Sequence, residues 1–438
     1  MINTYEAAIE WIHSRLRLGI KPGLKRMEWM MEKLGHPENK SAYIHVGGTN
    51  GKGSTVAYLR AVLQEADYSV GTFTSPYFEQ FNERISVNGI PIPDQDLIKL
   101  VNIIKPLAEE LEDTEWGSPT EFEVITAMAI YYFSEINPQD IVIMEVGLGG
   151  RFDSTNVIHP IASAITSIGF DHMQILGDTL DKITFEKAGI IKKGAPIFSN
   201  VHQEDAKRVI QEQAGEREGI LYQNPIHFRM VDHHSNEEGE TFSLETAWGS
   251  LKNLEISMLG KHQAENAALA SEILLYLSNS LSYEITEEHL REGLKKAFWP
   301  GRMERLSKKP LVYVDGAHNI EGLLSLKDTL ENRFASSSKK VIFTALKDKD
   351  LRGMIEILDE MDAELYFTEF DFPRASTAAE LYEISRSASK HFSENWKELI
   401  PQAAENAGEN EIIVITGSLY FLSNVKPFYL KFSKNKNN

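Results

Sequence analysis

The segment Val46–Ser54, of sequence VGGTNGKGS, has the residue types of a loop that binds phosphate groups. Its glycines allow backbone N–H groups to approach phosphate oxygens, and Lys52 can reach the terminal phosphates of a nucleotide. The pattern departs from the usual G-x-x-x-x-G-K-S/T, because Val46 stands at the first position and Gly53 follows the lysine. The hydroxyl that binds magnesium is therefore expected from Ser54 or from another segment. A glycine-rich turn without a ligand is the alternative, which Lys52 disfavours.

A second candidate is Glu145, the carboxylate at the end of the apolar run Ile141–Glu145. Ligands of parallel α/β sheets bind outside the carboxyl ends of the strands, where this side chain would lie. Mg²⁺ takes one or two protein carboxylates together with phosphate oxygens and water. A carboxylate at a strand end is common, but beside a phosphate-binding loop it predicts a magnesium ligand.

Two further polar residues, His172 and Lys187, follow the apolar run 161–168. Their spacing does not by itself predict a function. His172 is equally well a hydrogen-bonded structural residue, and a lysine on an amphipathic helix is most often solvated. Both therefore stay candidates at this point.

The second half of the chain repeats the arrangement, because Asp315 and His318 follow the apolar run 311–314. Asp315 could equally cap the helix that comes next. Polar residues also follow the runs 340–344 and 411–415. Three polar loops at successive strand ends of one sheet predict a shared crevice.

These residues stand where strand-like runs alternate with helical stretches. Strands are expected at 42–46, 140–145, 161–168, 311–314, 340–344, 363–367 and 411–415, and helices at 5–18, 24–34, 54–65, 121–135, 179–190 and 262–280. The alternation predicts an α/β fold with mostly parallel sheets covered on both faces. The Pro-Gly step at 300–301 predicts two domains, 1–298 and 299–438. A hairpin excursion is expected at 227–257, with His233 and His234 in an exposed loop.

Composition excludes several classes of protein. The 438 residues include 45 Lys and Arg against 64 Asp and Glu, a formal charge of −19, which is typical neither of nucleic-acid binding nor of binding to an anionic membrane. There is no cysteine, so disulfides, thiolate metal sites and a cysteine nucleophile are excluded. No apolar run approaches the roughly 20 residues of a membrane span. We expect a cytoplasmic monomer.

Eight segments, in order along residues 48–319, together resemble the folylpolyglutamate synthase family. They are GTNGKGS (48–54), TSPYFEQFNERI (74–85), EVGLGGRFDSTN (145–156), FDHMQILGDT (170–179), FEKAGIIK (185–192), GKHQAENA (260–267), PGRME (300–304) and DGAHN (315–319). This family includes bacterial bifunctional dihydrofolate synthase/folylpolyglutamate synthases, and it belongs with the Mur ligases. The resemblance implies an N-terminal P-loop ATPase domain and a smaller C-terminal Rossmann-like domain that binds glutamate. Only about 45 residues precede the loop, fewer than an ordinary domain, which favours the folate branch over the Mur branch.

The resemblance further implies a reaction. ATP, as co-substrate, would drive amide formation between the amino group of L-glutamate and the carboxylate of a reduced folate, with dihydropteroate as an open second substrate. The γ-phosphoryl group would convert the carboxylate into an acyl phosphate, releasing ADP and then phosphate. Because two anions must meet, cations and positioning should supply most of the catalysis. Two Mg²⁺ ions are expected.

Residue roles also come from the resemblance. Expected to bind ATP are Thr49, Asn50, Gly51, Lys52, Gly53, Ser54, Asn266, Arg302 and Asp315. Expected to bind magnesium are Ser75, Glu145 and His172. Expected in the chemistry are Lys52, His172, Lys187, Asp315 and His318, and expected to contact folate or glutamate are Arg84, Thr120, Phe122, Phe152, Asp153, His318 and Ser418. Lys187 matches a lysine that is carbamylated in the family; a plain lysine contacting phosphate is the alternative.

Two other functions compete with the folate ligase. A Mur-type ligase acting on a peptidoglycan precursor would use the same ATP chemistry. A P-loop switch protein would use nucleotide for conformational control, but it would have no need of the segments DGAHN and FEKAGIIK.

Overall fold

The computed structural model describes residues 1–236 and 238–436, which form two compact units. The first comprises Met1–Asp232, Phe242–Glu255 and Ala264–Ala297. The second comprises His233–Thr241, Ile256–Gln263 and the chain from Phe298 onward. The chain thus enters the second unit for the last time at Phe298, after two short earlier segments that also belong to it.

An eight-stranded sheet forms the centre of the first unit. Its strands are β1 (Tyr43–Gly47), β2 (Val70–Phe73), β3 (Ile85–Val87), β4 (Ile90–Pro91), β5 (Ile141–Glu145), β6 (Ala162–Ile165), β7 (Pro196–Ser199) and β8 (Ile220–Gln223). The order is β4-β3-β2-β5-β1-β6-β7-β8, and only β3 and β4 run antiparallel to their neighbours. Every residue of β1 and β5 is buried, because helices cover both faces of the sheet.

Ten helices accompany this sheet. They are α1 (Tyr5–His13), α2 (Lys25–Lys33), α3 (Lys52–Glu65), α4 (Asp94–Glu112), α5 (Glu121–Tyr131), α6 (Met173–Leu176), α7 (Leu180–Lys187), α8 (Glu204–Glu216), α9 (Lys261–Leu281) and α10 (Glu287–Lys296). Three predicted helices are shorter than expected, and the one predicted at 179–190 ends at Lys187, where a 3-10 turn follows. The helix predicted at 5–18 ends at His13, and the one predicted at 121–135 ends at Tyr131 and continues as a π-helical turn. None of the helices in residues 1–236 and 238–436 is both long and apolar enough to cross a membrane.

The predicted hairpin excursion is a three-stranded sheet, β9 (Phe228–Asn236), β10 (Gly239–Thr246) and β11 (Gly249–Ile256), in the order β11-β10-β9. The assignment of His233 and His234 to an exposed loop is wrong, because both lie within β9. His233 Nε2 is 3.0 Å from the carboxylate of Glu240, which is fully buried and also 3.1 Å from the guanidinium of Arg333. The loop was predicted because the second half of this strand, Asp232–Asn236, is entirely polar.

The second unit contains a six-stranded sheet. Its elements are β12 (Glu304–Lys308), β13 (Leu311–Asp315), α11 (Ile320–Arg333), β14 (Ser338–Phe343), α12 (Leu351–Asp359), β15 (Glu364–Thr368), α13 (Ala378–Ile384), β16 (Lys390–Ser393), α14 (Trp396–Glu405), β17 (Glu411–Thr416) and α15 (Leu419–Lys436). The strand order is β12-β13-β17-β14-β15-β16, and only the β12–β13 pair is antiparallel. The carboxyl ends of β13, β17 and β14 are therefore neighbours, as the three polar loops predict.

Candidate active site

The phosphate-binding loop connects β1 to α3, and two of its glycines are required by the backbone. Gly48 and Gly51 have φ values of +142° and +86°. A Cβ at Gly48 would lie 2.0 Å from Thr166 Oγ1, and one at Gly51 would lie 2.3 Å from Asn266 Oδ1. The loop thus fits closely against the segment after β6 and against α9. The predicted ATP-binding residue Asn266 lies directly beside it.

Residues after β6 hold the loop in place. Thr49 N–H donates to Ser167 O at 2.8 Å, and Asn50 N–H donates to Ser167 Oγ at 3.0 Å. The Thr49 hydroxyl accepts from Gly169 N–H at 3.0 Å. The sequence analysis missed Thr166 and Ser167. Two hydroxyl residues at the carboxyl end of a buried strand, followed by Ile168 and Gly169, are the signal that could have identified them.

Lys52 is the first residue of α3, and its side chain folds over the loop. Its Nζ donates to Gly48 O at 3.2 Å and to Thr49 O at 3.0 Å. The ammonium group therefore lies at the start of a helix, where backbone N–H groups also favour an anion. This arrangement suits the β- and γ-phosphates of a nucleotide.

The hydroxyl of Ser54 is buried in the first turn of α3, and no hydrogen-bond partner lies near it in the described part of the chain. A buried hydroxyl without a partner is costly unless a ligand satisfies it. Ser54 is therefore well placed to bind a phosphate oxygen or a cation. It occupies the position to which Gly53 displaces the usual magnesium ligand.

Glu145 and Ser75 lie together beside this loop, as predicted. Glu145 is buried at the end of β5 and pairs in register with Val46 of β1. Ser75 N–H donates to Glu145 Oε2 at 3.1 Å, which places the Ser75 residue next to the carboxylate. A hydroxyl and a carboxylate are oxygen donors, and these are the ligands that Mg²⁺ prefers.

Lys187 is buried, so its interpretation as a solvated lysine is wrong. Its Nζ donates to Gly48 O at 2.9 Å, the same carbonyl that Lys52 contacts. Burial, together with the charge of Lys52, lowers the pKa of Lys187 to about 7, although Asp171 and Asp153 act in the opposite direction. A sizeable fraction of this amine is therefore neutral near pH 7.

His172 is more loosely held. It has a φ of +51°, its side chain is 45% exposed, and its Nε2 lies 3.8 Å from Asp171 Oδ2. Nowhere in residues 1–236 and 238–436 do three or more His, Asp or Glu side chains cluster as a metal site would require. The oxygen donors at Ser54, Ser75 and Glu145 suit Mg²⁺ nonetheless, because this ion usually keeps water and phosphate oxygens among its ligands.

Aromatic side chains lie at the predicted folate end. The guanidinium of Arg84 stacks on Tyr77 at 5.2 Å, and Phe122 packs on Phe73 at 5.7 Å. Phe152 is 45% exposed, which leaves one ring face open to a ligand.

The polar groups of Thr120 and Asp153 make hydrogen bonds within the protein. The hydroxyl of Thr120 caps α5 by accepting from Glu123 N–H at 3.3 Å. Asp153 is buried and accepts hydrogen bonds from Leu148 N–H and Thr155 N–H at 2.8 and 3.0 Å. Burial raises the pKa of Asp153. The geometry supports a structural role for both, and their predicted contacts with folate stay predictions.

In the second unit, Asp315 lies at the end of β13, and its carboxylate accepts hydrogen bonds from two backbone N–H groups. It accepts from Met303 N–H and Ala317 N–H, both at 2.9 Å. Burial raises the pKa of Asp315, and the charge of Arg302 partly opposes that shift. His318 Nδ1 lies 2.8 Å from Gly316 O. This strand end therefore brings together three of the predicted residues.

Ser418 follows β17, the neighbour of β13. Its side chain is buried, and its hydroxyl has no hydrogen-bond partner within the described ranges. Like Ser54 in the first unit, Ser418 thus has an unused hydroxyl at the carboxyl edge of a parallel sheet.

Comparison with known proteins places the chain among ligases. Residues 46–274 match the Mur ligase middle domain, and residues 301–419 match the glutamate ligase domain of Mur ligases. The chain is 50% identical to dihydrofolate synthase/folylpolyglutamate synthase of Bacillus subtilis (strain 168), over 97% of this chain and 99% of that protein. The chain belongs to the folylpolyglutamate synthase family.

Solved structures of this folylpolyglutamate synthase family share the fold. The Mycobacterium tuberculosis enzyme complexed with ADP superposes with a TM-score of 0.88 and 28% identity, covering 97% of this chain and 99% of that one. A complex of a folylpolyglutamate synthase with AMPPCP and folate gives 0.83 and 31%, covering 98% and 100%. The predicted family and the mixed α/β fold are confirmed. The chain is accordingly an ATP-dependent ligase that shares its domains with the Mur ligases. This rules out the switch-protein hypothesis.

Proposed function

We propose that this protein joins L-glutamate to the carboxylate of a reduced folate, and also to that of dihydropteroate. The strongest support is the 50% identity, over nearly the whole length of both chains, to a relative whose name states both activities. A solved neighbour binds a nucleotide analogue and folate together. The geometry agrees, because the first unit gathers two lysines at one carbonyl of a phosphate-binding loop.

The chemistry needs a cation such as Lys52 at this loop. A carboxylate does not react with an amine, because its leaving group would be oxide. Attack of a carboxylate oxygen on the γ-phosphorus gives an acyl phosphate and ADP, and the glutamate amine then adds to the acyl carbon and expels phosphate. Lys52 and the backbone of Thr49–Ser54 would hold the β- and γ-phosphates and offset the charge of the incoming carboxylate.

Two magnesium ions are part of the proposal. Ser54 and the neighbouring pair Ser75 and Glu145 would bind the first ion, and His172 would bind the second. When bound, these ions would neutralise charge on the phosphate oxygens. Ser54 supports this assignment most clearly, because its buried hydroxyl otherwise has no partner in the described residues.

Lys187 would act as a carbamate. A neutral amine reacts with CO₂ by forming an N–C bond and losing one proton, and the lowered pKa of Lys187 supplies that neutral amine. The carbamate would replace a positive charge next to Lys52 with a negative one, and its oxygens suit a magnesium ion. A plain lysine that contacts phosphate is the competing assignment.

The second unit would bind the amino acid and part of the nucleotide. We assign Arg302 and Asp315 to the nucleotide, together with Asn266 of the first unit, and His318 and Ser418 to glutamate. The unused hydroxyl of Ser418 can donate to a carboxylate oxygen. Arg84, Phe122 and Phe152 would contact the folate, since aromatic faces suit a flat heterocycle.

A labelling assay tests this function. The protein is incubated with ATP, Mg²⁺ and radiolabelled glutamate, with tetrahydrofolate in one arm and dihydropteroate in another. We expect labelled product in both arms. A third arm contains a UDP-linked muramyl peptide precursor, and incorporation only there would support the Mur-type alternative instead. No incorporation in the first two arms contradicts the proposal. We further propose that the protein is cytoplasmic and monomeric. Sedimentation of the purified protein tests whether it is a monomer, and cell fractionation tests its location.

A further inference from the structure

A chain of three buried side chains lies beneath the phosphate-binding loop. His45 is in the middle of β1, and its Nε2 is 2.8 Å from the hydroxyl of Thr155. That hydroxyl in turn donates a short hydrogen bond to Asp153 Oδ1. His45 and Thr155 have no exposed surface, and Asp153 has almost none. The three residues therefore form a hydrogen-bonded chain closed to water.

The direction of hydrogen-bond donation along these three side chains follows from the Thr155 hydroxyl. Thr155 gives its one hydroxyl proton to Asp153, so its oxygen must accept the bond from His45, whose Nε2 carries the proton. His45 Nδ1 is buried and unpartnered among the described residues, where a lone pair is tolerated better than an N–H group. Burial lowers the pKa of His45 to about 3, so the ring stays neutral. With the ring neutral, Nε2–H can donate to the Thr155 hydroxyl, which itself donates to Asp153.

The hydrogen-bonded series His45–Thr155–Asp153 ends at the carboxylate of Asp153, which shapes the loop 147–156. Asp153 Oδ2 accepts from Leu148 N–H at 2.8 Å, and Oδ1 accepts from Thr155 N–H at 3.0 Å. Its two oxygens thus join the beginning and the end of this loop. The loop follows directly after Glu145, so its shape depends on a charge that His45 and Thr155 hold in place.

Arg151 and Phe152 lie at the tip of this loop. Arg151 N–H donates to Glu186 O at 2.7 Å, and its guanidinium makes a 2.7 Å ion pair with the Glu186 carboxylate. The same guanidinium lies 4.3 Å from the centre of the Phe152 ring. Because Phe152 directly precedes Asp153 in the sequence, displacing Asp153 would move the exposed aromatic ring that the proposed function assigns to folate.

A buried imidazole in a β-strand costs free energy when one of its ring nitrogens has no hydrogen-bond partner. An apolar side chain of similar size would pack in β1 without leaving Nδ1 unpaired. The polar ring is explained by the one hydrogen bond that it donates, and that bond leads only to Thr155 and Asp153.

We propose that His45 and Thr155 are positioning residues that fix Asp153, and through it Phe152, for binding of the pteridine-bearing substrate. This inference rests on the proposed function. It adds two residues that lie outside the substrate site and act through the loop.

Matched substitutions test it. Thr155→Val keeps the shape and removes the hydroxyl, whereas Thr155→Ser keeps the hydroxyl. His45→Met removes the donor, whereas His45→Gln keeps an N–H group near the position of Nε2. We expect Thr155→Val and His45→Met to raise the KM for tetrahydrofolate about tenfold, the usual effect of one lost buried hydrogen bond, with little change in kcat or in the KM for ATP. Thr155→Ser and His45→Gln should restore most of the affinity.

Three outcomes decide the matter. If Thr155→Val or His45→Met lowers only thermal stability, or raises the KM for ATP as much as that for tetrahydrofolate, the inference is wrong. Binding of AMPPCP shows whether each variant folds. If either variant does not fold, Thr155→Cys replaces it, because a thiol is only a weak donor and should give an intermediate KM for tetrahydrofolate. A wild-type KM in Thr155→Cys would overturn the inference. An inactive wild-type protein would instead refute the proposed function.

Discussion

The carboxyl edges of the two sheets carry different kinds of side chain. At the carboxyl edge of the first sheet, Lys52 and Lys187 converge on Gly48 O, with one carboxylate, Glu145, nearby. At the carboxyl edge of the second sheet lie Asp315 and Ser418, an anion and a neutral hydroxyl. The first edge suits the phosphates of a nucleotide. At the second edge, Asp315 is assigned to the nucleotide as well, whereas the hydroxyl of Ser418 suits a carboxylate of the amino acid. Parallel sheets thus supply the position, and the loop residues supply the specificity.

Removing a charge from the first edge should have the largest effect. We expect Lys52→Ala, and likewise Glu145→Ala, to lower kcat by about 10³-fold. Lys52 would contact the charge that develops on the transferred phosphate, and Glu145 would hold the magnesium ion that neutralises it. Glutamate incorporation at saturating substrates measures the effect. Lys182→Ala is the matched control, since this exposed lysine only pairs with Asp178. Near-normal kcat in Lys52→Ala or Glu145→Ala would refute the role of that residue.

Lys187 tests the same edge in a way that separates its two assignments. We expect Lys187→Ala to lose about 10²-fold in kcat and to recover partly with added acetate or propionate, because a free carboxylate can replace the carbamate oxygens. Lys52→Ala should gain nothing from the same additives. Recovery of Lys187→Ala by small amines instead of carboxylates would favour the plain lysine.

Substitution of Ser418 at the second edge should affect the binding of glutamate alone. We expect Ser418→Ala to raise the KM for glutamate about tenfold and to leave the KM for ATP unchanged, because the unused hydroxyl would donate to the amino acid. Ser423→Ala is the control, since its hydroxyl only donates to Tyr420 O within α15. An equal rise in both KM values would mean that the two edges are not specialised as described.

Glu272 should show that burial alone does not make a carboxylate functional. It lies in α9, away from the strand ends, and neither of its oxygens has a hydrogen-bond partner in the described segments. Burial raises its pKa to about 8, well above the ordinary value of 4.5. The folded protein therefore holds a proton that the unfolded chain releases, so stability should fall as pH rises from about 4.5 to 8.

Glu272→Gln should remove that component of the pH dependence and keep activity. Thermal unfolding between pH 5 and 9 measures it, with Glu265→Gln as the control, because the Glu265 side chain is 27% exposed. An unchanged pH slope, or a large loss of kcat in Glu272→Gln, would contradict this account of Glu272.

Local signals made the first edge predictable. Val46–Ser54 could be identified because the glycines, the lysine and the strand–helix setting are contiguous in sequence. Glu145 could be placed because a strand ends at it, and in the second unit Asp315 could be placed for the same reason.

What the sequence could not show depends on contacts between distant residues. Lys187 reads as a surface lysine, since nothing nearby in sequence reveals that it contacts Gly48 across 139 positions. Asp153 reads as a ligand residue, although its oxygens are used by the loop around it. The assignment of 233–241 and 256–263 to the second unit likewise follows from packing, not from local composition.

The central claim is that the carboxylate is phosphorylated before the amine attacks. It can be tested with tetrahydrofolate whose reacting carboxylate carries ¹⁸O, incubated with ATP, Mg²⁺ and glutamate. The carboxylate oxygen that attacks the γ-phosphorus leaves with the phosphate when the amide forms. Mass spectrometry of the released phosphate should therefore show one ¹⁸O atom for each amide formed. Phosphate without ¹⁸O, released together with labelled amide product, would contradict the account.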